Sequence, residues 1–201
     1  MKIKAQIVIY QLIIFLFCFS CKSGKERLNK ETRTIVKVIL EDYDSIALIR
    51  ETYYHDSSIK PINLLYPYYR AYSYSIMDNN KSKKKQNIAY VVFLKDVDGI
   101  IIEKELDKMK DEYKSWSIEG WDEKNIENKK VKLISLDSVK KYDISIPTVR
   151  LSEPLFTKDK KKAIIYESYL DSKTGAHGIR ILVKKNGKWV IKGGIPVGTS
   201  N

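Results

Sequence analysis

The sequence predicts an α+β fold: a curved antiparallel sheet finishing in a C-terminal β-meander, with an N-terminal helix and a second helix packed on it. Three observations carry this reading. Apolar residues recur every three or four positions in two stretches, near 31–50 and 100–115. They alternate or run unbroken, as strand residues do, in 68–76, in 87–94 and through most of the last fifty residues. Asn186-Gly187 divides an Ile- and Val-rich stretch, and such a pair supplies the positive φ that a type I′ hairpin turn needs at both central residues.

The chain has 201 residues, 43% of them hydrophobic, which is enough for one ordinary domain without disulfides or metal. Two Cys and two His exclude a disulfide scaffold and leave little for a metal cage. No metal and no cofactor is expected.

The first element is an address. Met1-Lys2-Ile3-Lys4 places two cations before a thirteen-residue apolar run, Ile7 to Phe19, broken only by Gln11. As a helix that run spans about 20 Å, short of the ~30 Å hydrocarbon core, so it reads as a secretory signal rather than a membrane span. It ends in Cys18-Phe19-Ser20-Cys21, which resembles the lipobox of bacterial lipoproteins. The resemblance implies cleavage between Ser20 and Cys21, with the Cys21 thiol diacylated and its new amine acylated. Ordinary signal-peptidase cleavage after Ser20 would cut the same bond and add no lipid. The reading divides the chain into a signal at 1–20, a lipidated Cys and tether at 21–30, and one domain at 31–201. Two or three acyl chains hold a membrane firmly. The expected location is the cell envelope, at the outer membrane and facing the periplasm.

The mature chain opens with a helix at 31–50, on the stripe Ile35, Ile39, Tyr43, Ile46 and Arg50. A Tyr-rich strand follows Pro67, with Tyr68, Arg70, Tyr72, Tyr74 and Ile76 sharing one face. A basic loop around Lys81 to Lys85 leads to a second strand, Asn87 to Leu94. Ile102, Leu106, Met109, Tyr113 and Trp116 then mark a helix over 100–115. Val131 to Leu136 and Ile144 to Leu151 read as short strands. Ala163 to Leu170, Gly178 to Val183 and the arm after Asn186-Gly187 complete the meander. With its long helix across the sheet, the arrangement resembles cystatin-like or nuclear-transport-factor-like folds, an analogy that fixes no function.

One further resemblance rests on Ser152-Glu153-Pro154-Leu155-Phe156-Thr157-Lys158-Asp159, on Ala163 to Tyr166, and on Lys185-Asn186-Gly187-Lys188-Trp189. This pattern is similar to small uncharacterised lipoproteins of Gram-negative bacteria. It implies the same address and a β-rich C-terminus, and no chemistry.

Candidate chemistry is sparse. His55 and His177 are far apart in sequence and have no nucleophile elbow to serve, so both read as surface-loop histidines. Asp96 and Asp98, with Glu103 and Glu105, fall short of a calcium loop and suit turns and helix caps. Tyr66, Tyr68, Tyr69, Tyr72 and Tyr74, with Trp116 and Trp121, form either a sugar- or peptide-binding face or the core side of a sheet. Tyr68, Tyr72 and Tyr74 are the candidate ligand contacts.

The formal charge of +12 falls to +10 when Lys2 and Lys4 leave with the signal. It resides in 31 Lys against 6 Arg, unlike surfaces that read nucleic acid through the forked guanidinium. No nucleic-acid partner is expected. The lysines gather at predicted turns: 81–85, 129–132, 158–162 and 184–188. They read as solvated tips, or as a surface for an anionic envelope polymer, lipid or protein partner beside the anchoring membrane. The functional expectation is a non-enzymatic binding or envelope-interaction module. The competing class is an envelope hydrolase using Asp or Glu with His55 or His177.

Overall fold

The computed structural model describes residues 30–53, 60–68, 99–123, 126, 130–139, 146–171 and 175–200. Ser20, Cys21, the tether, His55, Tyr72, Tyr74, Asp96, Asp98 and the strand expected at 87–94 lie outside these residues. The chain divides into two compact units, Met1–Thr34 and Ile35–Asn201. Of the first, 30–34 are described, and Thr34 Oγ1 donates to the Lys30 carbonyl at 2.9 Å. The sheet and its cores belong to the second unit.

A helix covers 30–40 (α1) and stops ten residues short of the expected end. Asp42, Asp44 and Ser45 are turn formers, and the next four residues, Ile46–Ile49, are all buried in a strand (β1). An unbroken apolar run suits a strand covered on both faces better than one helical stripe.

β1 lies between Val131–Ile134 (β2) and Thr148–Leu151 (β3) and is parallel to both, with Ile46 opposite Val131 and Leu48 opposite both Leu133 and Val149. The sheet is therefore mixed, not antiparallel. Parallel pairing needs long crossovers, and the chain between β1 and β2 includes two helices, 61–68 (α2) and Glu103–Glu112 (α3). The remaining strands are Leu155–Phe156 (β4), Lys162–Leu170 (β5), Gly175–Lys185 (β6) and Lys188–Ser200 (β7). The order is β2-β1-β3-β5-β6-β7, with β4 also on β5.

Because β6 occupies one edge of β5 along its length, β3 and β4 share the other. They amount to one strand interrupted at Ser152-Glu153-Pro154, where Pro154 has no N–H for a ladder. Ser152 bridges the gap: its N–H donates to the Tyr166 carbonyl, and its Oγ accepts the Tyr166 N–H, both at 2.9 Å. The expected hairpin closes β6 and β7, with Asn186 at φ 49 and Gly187 at φ 78. The two other expected strands are shorter than read: β2 ends at Ile134, before a short helix at Leu136–Val139 (α4), and β3 begins only at Thr148.

Strand register separates two faces. Ile164 and Tyr166 of β5, with Ile179, Ile181 and Ile195, join Leu64, Leu65 and Tyr68 of α2 and Leu106 and Met109 of α3 in one core. Helix α3 is shorter than the expected 100–115: Tyr113, its C-cap, and Trp116, four residues past its end, pack against this core half-buried, while Ile102, expected on the same stripe, is 47% exposed. Tyr68 is thus helical rather than on a strand; Pro61, with its φ preset, opens α2. Ile165, Glu167 and Tyr169 point to the other face. There Tyr43, three residues past α1, stacks on Tyr169 with ring centroids 5.9 Å apart.

Candidate functional site

Two places on this scaffold concentrate chemistry, at opposite ends of the β5–β6–β7 meander. The first begins with two charged residues inside apolar strands. Glu167 interrupts Ile164-Ile165-Tyr166, and Arg180 stands between Ile179 and Ile181. A carboxylate in such a setting must be paired to be tolerated. The register puts Gly178 opposite Glu167 and Arg180 opposite Ile165, so Arg180 reaches Glu167 diagonally across a glycine. Arg180 Nε donates to Glu167 Oε2, and the Tyr43 hydroxyl donates to Oε1 at 2.7 Å.

Glu167 is 5% exposed, while 40% of the Arg180 side chain meets solvent. Burial, and then the Glu167 charge, push the Tyr43 hydroxyl well above its ordinary range. Burial would lower Arg180, but the charge and hydrogen bond of Glu167 outweigh it and the guanidinium is held upward.

Beside the pair lies an open groove of about 220 Å³, lined by Glu167, Tyr169, Ala176, Gly178, Arg180 and Pro196 among others. Its floor is backbone where Ala176, Gly178 and Gly194 carry little or no side chain. Gly178 has no room for more: a Cβ there would stand 2.6 Å from the Ile195 carbonyl oxygen. The β6–β7 register shifts between His177 and Gly178, which brings Pro196 opposite Gly178.

His177, expected on a loop, lies on β6 and stacks on Tyr166 at 6.2 Å. Its register partner is Ser168, so alternation turns its ring toward the α2–α3 face, away from Glu167 and Arg180. It shares the groove's boundary but does not converge with the ion pair. Among the described residues, no three His, Cys, Asp or Glu side chains gather as metal ligands would.

The second place is the lysine-rich end. Thr157 to Lys161 turn β4 into β5, and Asn186-Gly187 turn β6 into β7. The Lys184 N–H donates to the Lys161 carbonyl at 2.7 Å, which fastens the two turns side by side. Lys158, Lys160, Lys161, Lys185, Lys188 and Lys192 are all exposed. The acid among them, Asp159, is exposed too, but its Oδ1 is engaged within its own turn, accepting from Thr157 Oγ1 at 2.7 Å and from the Lys161 N–H at 3.1 Å. The Thr157 bond first, then Lys161 and Lys162, hold its carboxyl below the usual range. A hydrogen bond from Lys185 and its charge hold Lys192 below the ordinary lysine value. Lys162 is drawn out of the cluster by Glu105 of α3, 2.8 Å away.

Of the predicted aromatic face, Tyr66, Tyr68, Trp116 and Trp121 are among the described residues; Tyr69, Tyr72 and Tyr74 are outside them. Tyr68 is 2% exposed, and its Oη accepts the Ile101 N–H at 2.9 Å, so it is a core residue and not a ligand contact. Trp121 is buried too, while Tyr66 is 64% exposed. Glu103 and Glu105 belong to the start of α3, where Glu105 Oε2 accepts the Ile102 N–H. The sequence reading missed Glu167, Arg180 and Tyr43. The available signal was a lone acid in one apolar strand and a lone Arg in the next, each demanding a partner.

Compared with family models, curated proteins and solved structures, the chain matches none.

Proposed function

We propose that this chain is a periplasm-facing lipoprotein, anchored through Cys21, whose folded domain is a non-enzymatic envelope-interaction module. The observation that supports it most is the lysine end. Five exposed lysines on and beside two fastened turns, with a sixth, Lys192, on β7 and the one acid among them engaged through Oδ1, make a cationic surface in search of counter-charge. Flexible ammonium groups suit an anionic surface of variable geometry, whereas forked Arg would suit a defined phosphate or base. A lipid anchor would keep such a surface within reach of anionic envelope polymer or lipid, where each lysine contributes about 1 kcal/mol. We read the antiparallel part of the sheet with its helices as a cystatin-like or nuclear-transport-factor-like arrangement.

Two measurements test this. Radiolabelled palmitate with intact mass should show lipid on the wild type and none on Cys21→Ala; label retained in the variant refutes the anchor. Unlipidated Cys21→Ala protein should co-sediment with phosphatidylglycerol vesicles at 50 mM salt and release at 500 mM. Replacing Lys158, Lys160, Lys161, Lys185 and Lys188 with Gln should abolish this. Binding that survives the replacement, or shows no dependence on salt, refutes the role of the lysine end.

A further inference from the structure

We infer that the groove beside Arg180 is a binding site for a small monocarboxylate with an apolar body, its carboxylate held by the two terminal nitrogens of Arg180. The guanidinium has five N–H donors in a planar fork. Glu167 takes the one on Nε, and no other described residue takes those on the two Nη atoms. Glu167 is itself fixed by Tyr43, and Tyr43 by its stack on Tyr169, so the fork is held before any ligand arrives. A guanidinium fixed at Nε by a buried carboxylate, with 40% of its side chain exposed, suits bidentate carboxylate recognition.

The rest of the groove selects the remainder of the ligand. Ala176, Gly178 and Gly194 leave a flat backbone floor, and Tyr169 and Pro196 supply apolar walls. No second exposed cation lines it, which suits one negative group and not two. Its volume of about 220 Å³ lies below the ~300–1,000 Å³ of drug-sized sites, so the ligand is small. Both oxygens of Glu167 are occupied and its charge is matched by Arg180; Asp42, whose charge also acts on Arg180, does not line the groove. This inference stands apart from the envelope reading, because neither the lysine end nor Cys21 enters it.

The test titrates the chain with hexanoate, 1-hexanol and hexylamine, which share a tail and differ in charge, while the amide resonances of Gly178 and Gly194 are followed by NMR. Hexanoate should saturate both resonances; the alcohol and the amine should bind at least tenfold more weakly. Arg180→Lys keeps the charge but loses the fork and should weaken hexanoate about tenfold. Ala176→Trp fills the groove while leaving the Arg180–Glu167 pair intact, and it should abolish saturation with the fold preserved. Equal binding of hexylamine, undiminished binding by either variant, or no saturation by hexanoate up to 50 mM each overturns the assignment.

Discussion

Replacing Glu153 separates what a buried carboxylate does by charge from what it does by accepting hydrogen bonds. Glu153 sits in the break between β3 and β4 and is 5% exposed. Its Oε2 accepts the backbone N–H groups of Ser117 and Ile118 at 2.7 and 3.0 Å, and its Oε1 accepts the Ser117 hydroxyl. This clamp ties the segment following α3 to the sheet. In Glu153→Gln the amide oxygen can still accept both backbone donors, and the Ser117 hydroxyl can rotate to accept from the amide nitrogen. The loss is then the charge assistance alone, about 1–2 kcal/mol. In Glu153→Ala two backbone donors lose their partner, at about 1–3 kcal/mol each, so the total is about 2–6 kcal/mol. Urea unfolding should show the midpoint falling in the order wild type, Gln, Ala, with an unchanged slope. If Gln costs as much as Ala, the charge matters and the clamp does not. If Ala falls within 0.5 kcal/mol of wild type, the reasoning fails altogether.

Three further outcomes follow from single positions. Gly178→Ala must push β7 away from the 2.6 Å approach to the Ile195 carbonyl; overpacking of this kind costs about 1–3 kcal/mol, read as a drop in Tm, and an unchanged Tm would contradict it. Burial holds the Tyr113 hydroxyl up to about 12 and pushes Tyr43 higher still. The native state therefore keeps protons that the unfolded chain releases near pH 10. Stability is fully present below pH 10 and falls as pH rises toward 12, by up to about 1.4 kcal/mol per unit for each tyrosine before a discount for partial exposure. Urea midpoints between pH 9 and 11 should fall, and less steeply in Tyr43→Phe. Lys160 holds φ 54, a left-handed conformation that costs a non-glycine residue about 1–2 kcal/mol. Set against the ~0.4–1 kcal/mol of added unfolded-state freedom, Lys160→Gly should stabilise by about 0.5–1 kcal/mol; a lower urea midpoint would refute this.

The parts of the fold legible in the sequence are those decided by local chemistry. Asn186-Gly187 needed positive φ and has it. Leu106 and Met109 share the buried face of α3 because their spacing is intrinsic to a helix. What escaped was decided by distant partners. Ile46–Ile49 is a strand because β2 and β3 flank it from eighty to a hundred residues away. Tyr68 lies in a helix although tyrosine favours strands, because its buried hydroxyl finds the Ile101 N–H. For the site, the lysine end was visible as four basic runs, but that two of them meet depended on the β5–β6 register. The Glu167–Arg180 pair depended on the same register, across thirteen residues.

The length of β5 keeps the two ends of the meander from acting as one site. Arg180 lies opposite Ile165, four residues along β5 from Lys161 and five along β6 from Lys185, about 13 and 17 Å at ~3.3 Å each. The Debye length at physiological salt is about 8 Å, so the field of the turn lysines is largely screened before it reaches Arg180, whereas Lys192, two residues from Gly194, the register partner of Arg180, is nearer. An anion in the groove must therefore be recognised by the guanidinium it touches and is not drawn in by the lysines of the two turns. The converse also holds: Glu167 and Tyr43 cannot tune how the lysines meet a surface. Neutralising the lysine end should leave hexanoate affinity within about twofold of wild type, and Ala176→Trp should leave vesicle binding within the same limit. A larger cross-effect in either direction would mean that the meander transmits strain along its strands, since screened charge could not carry it.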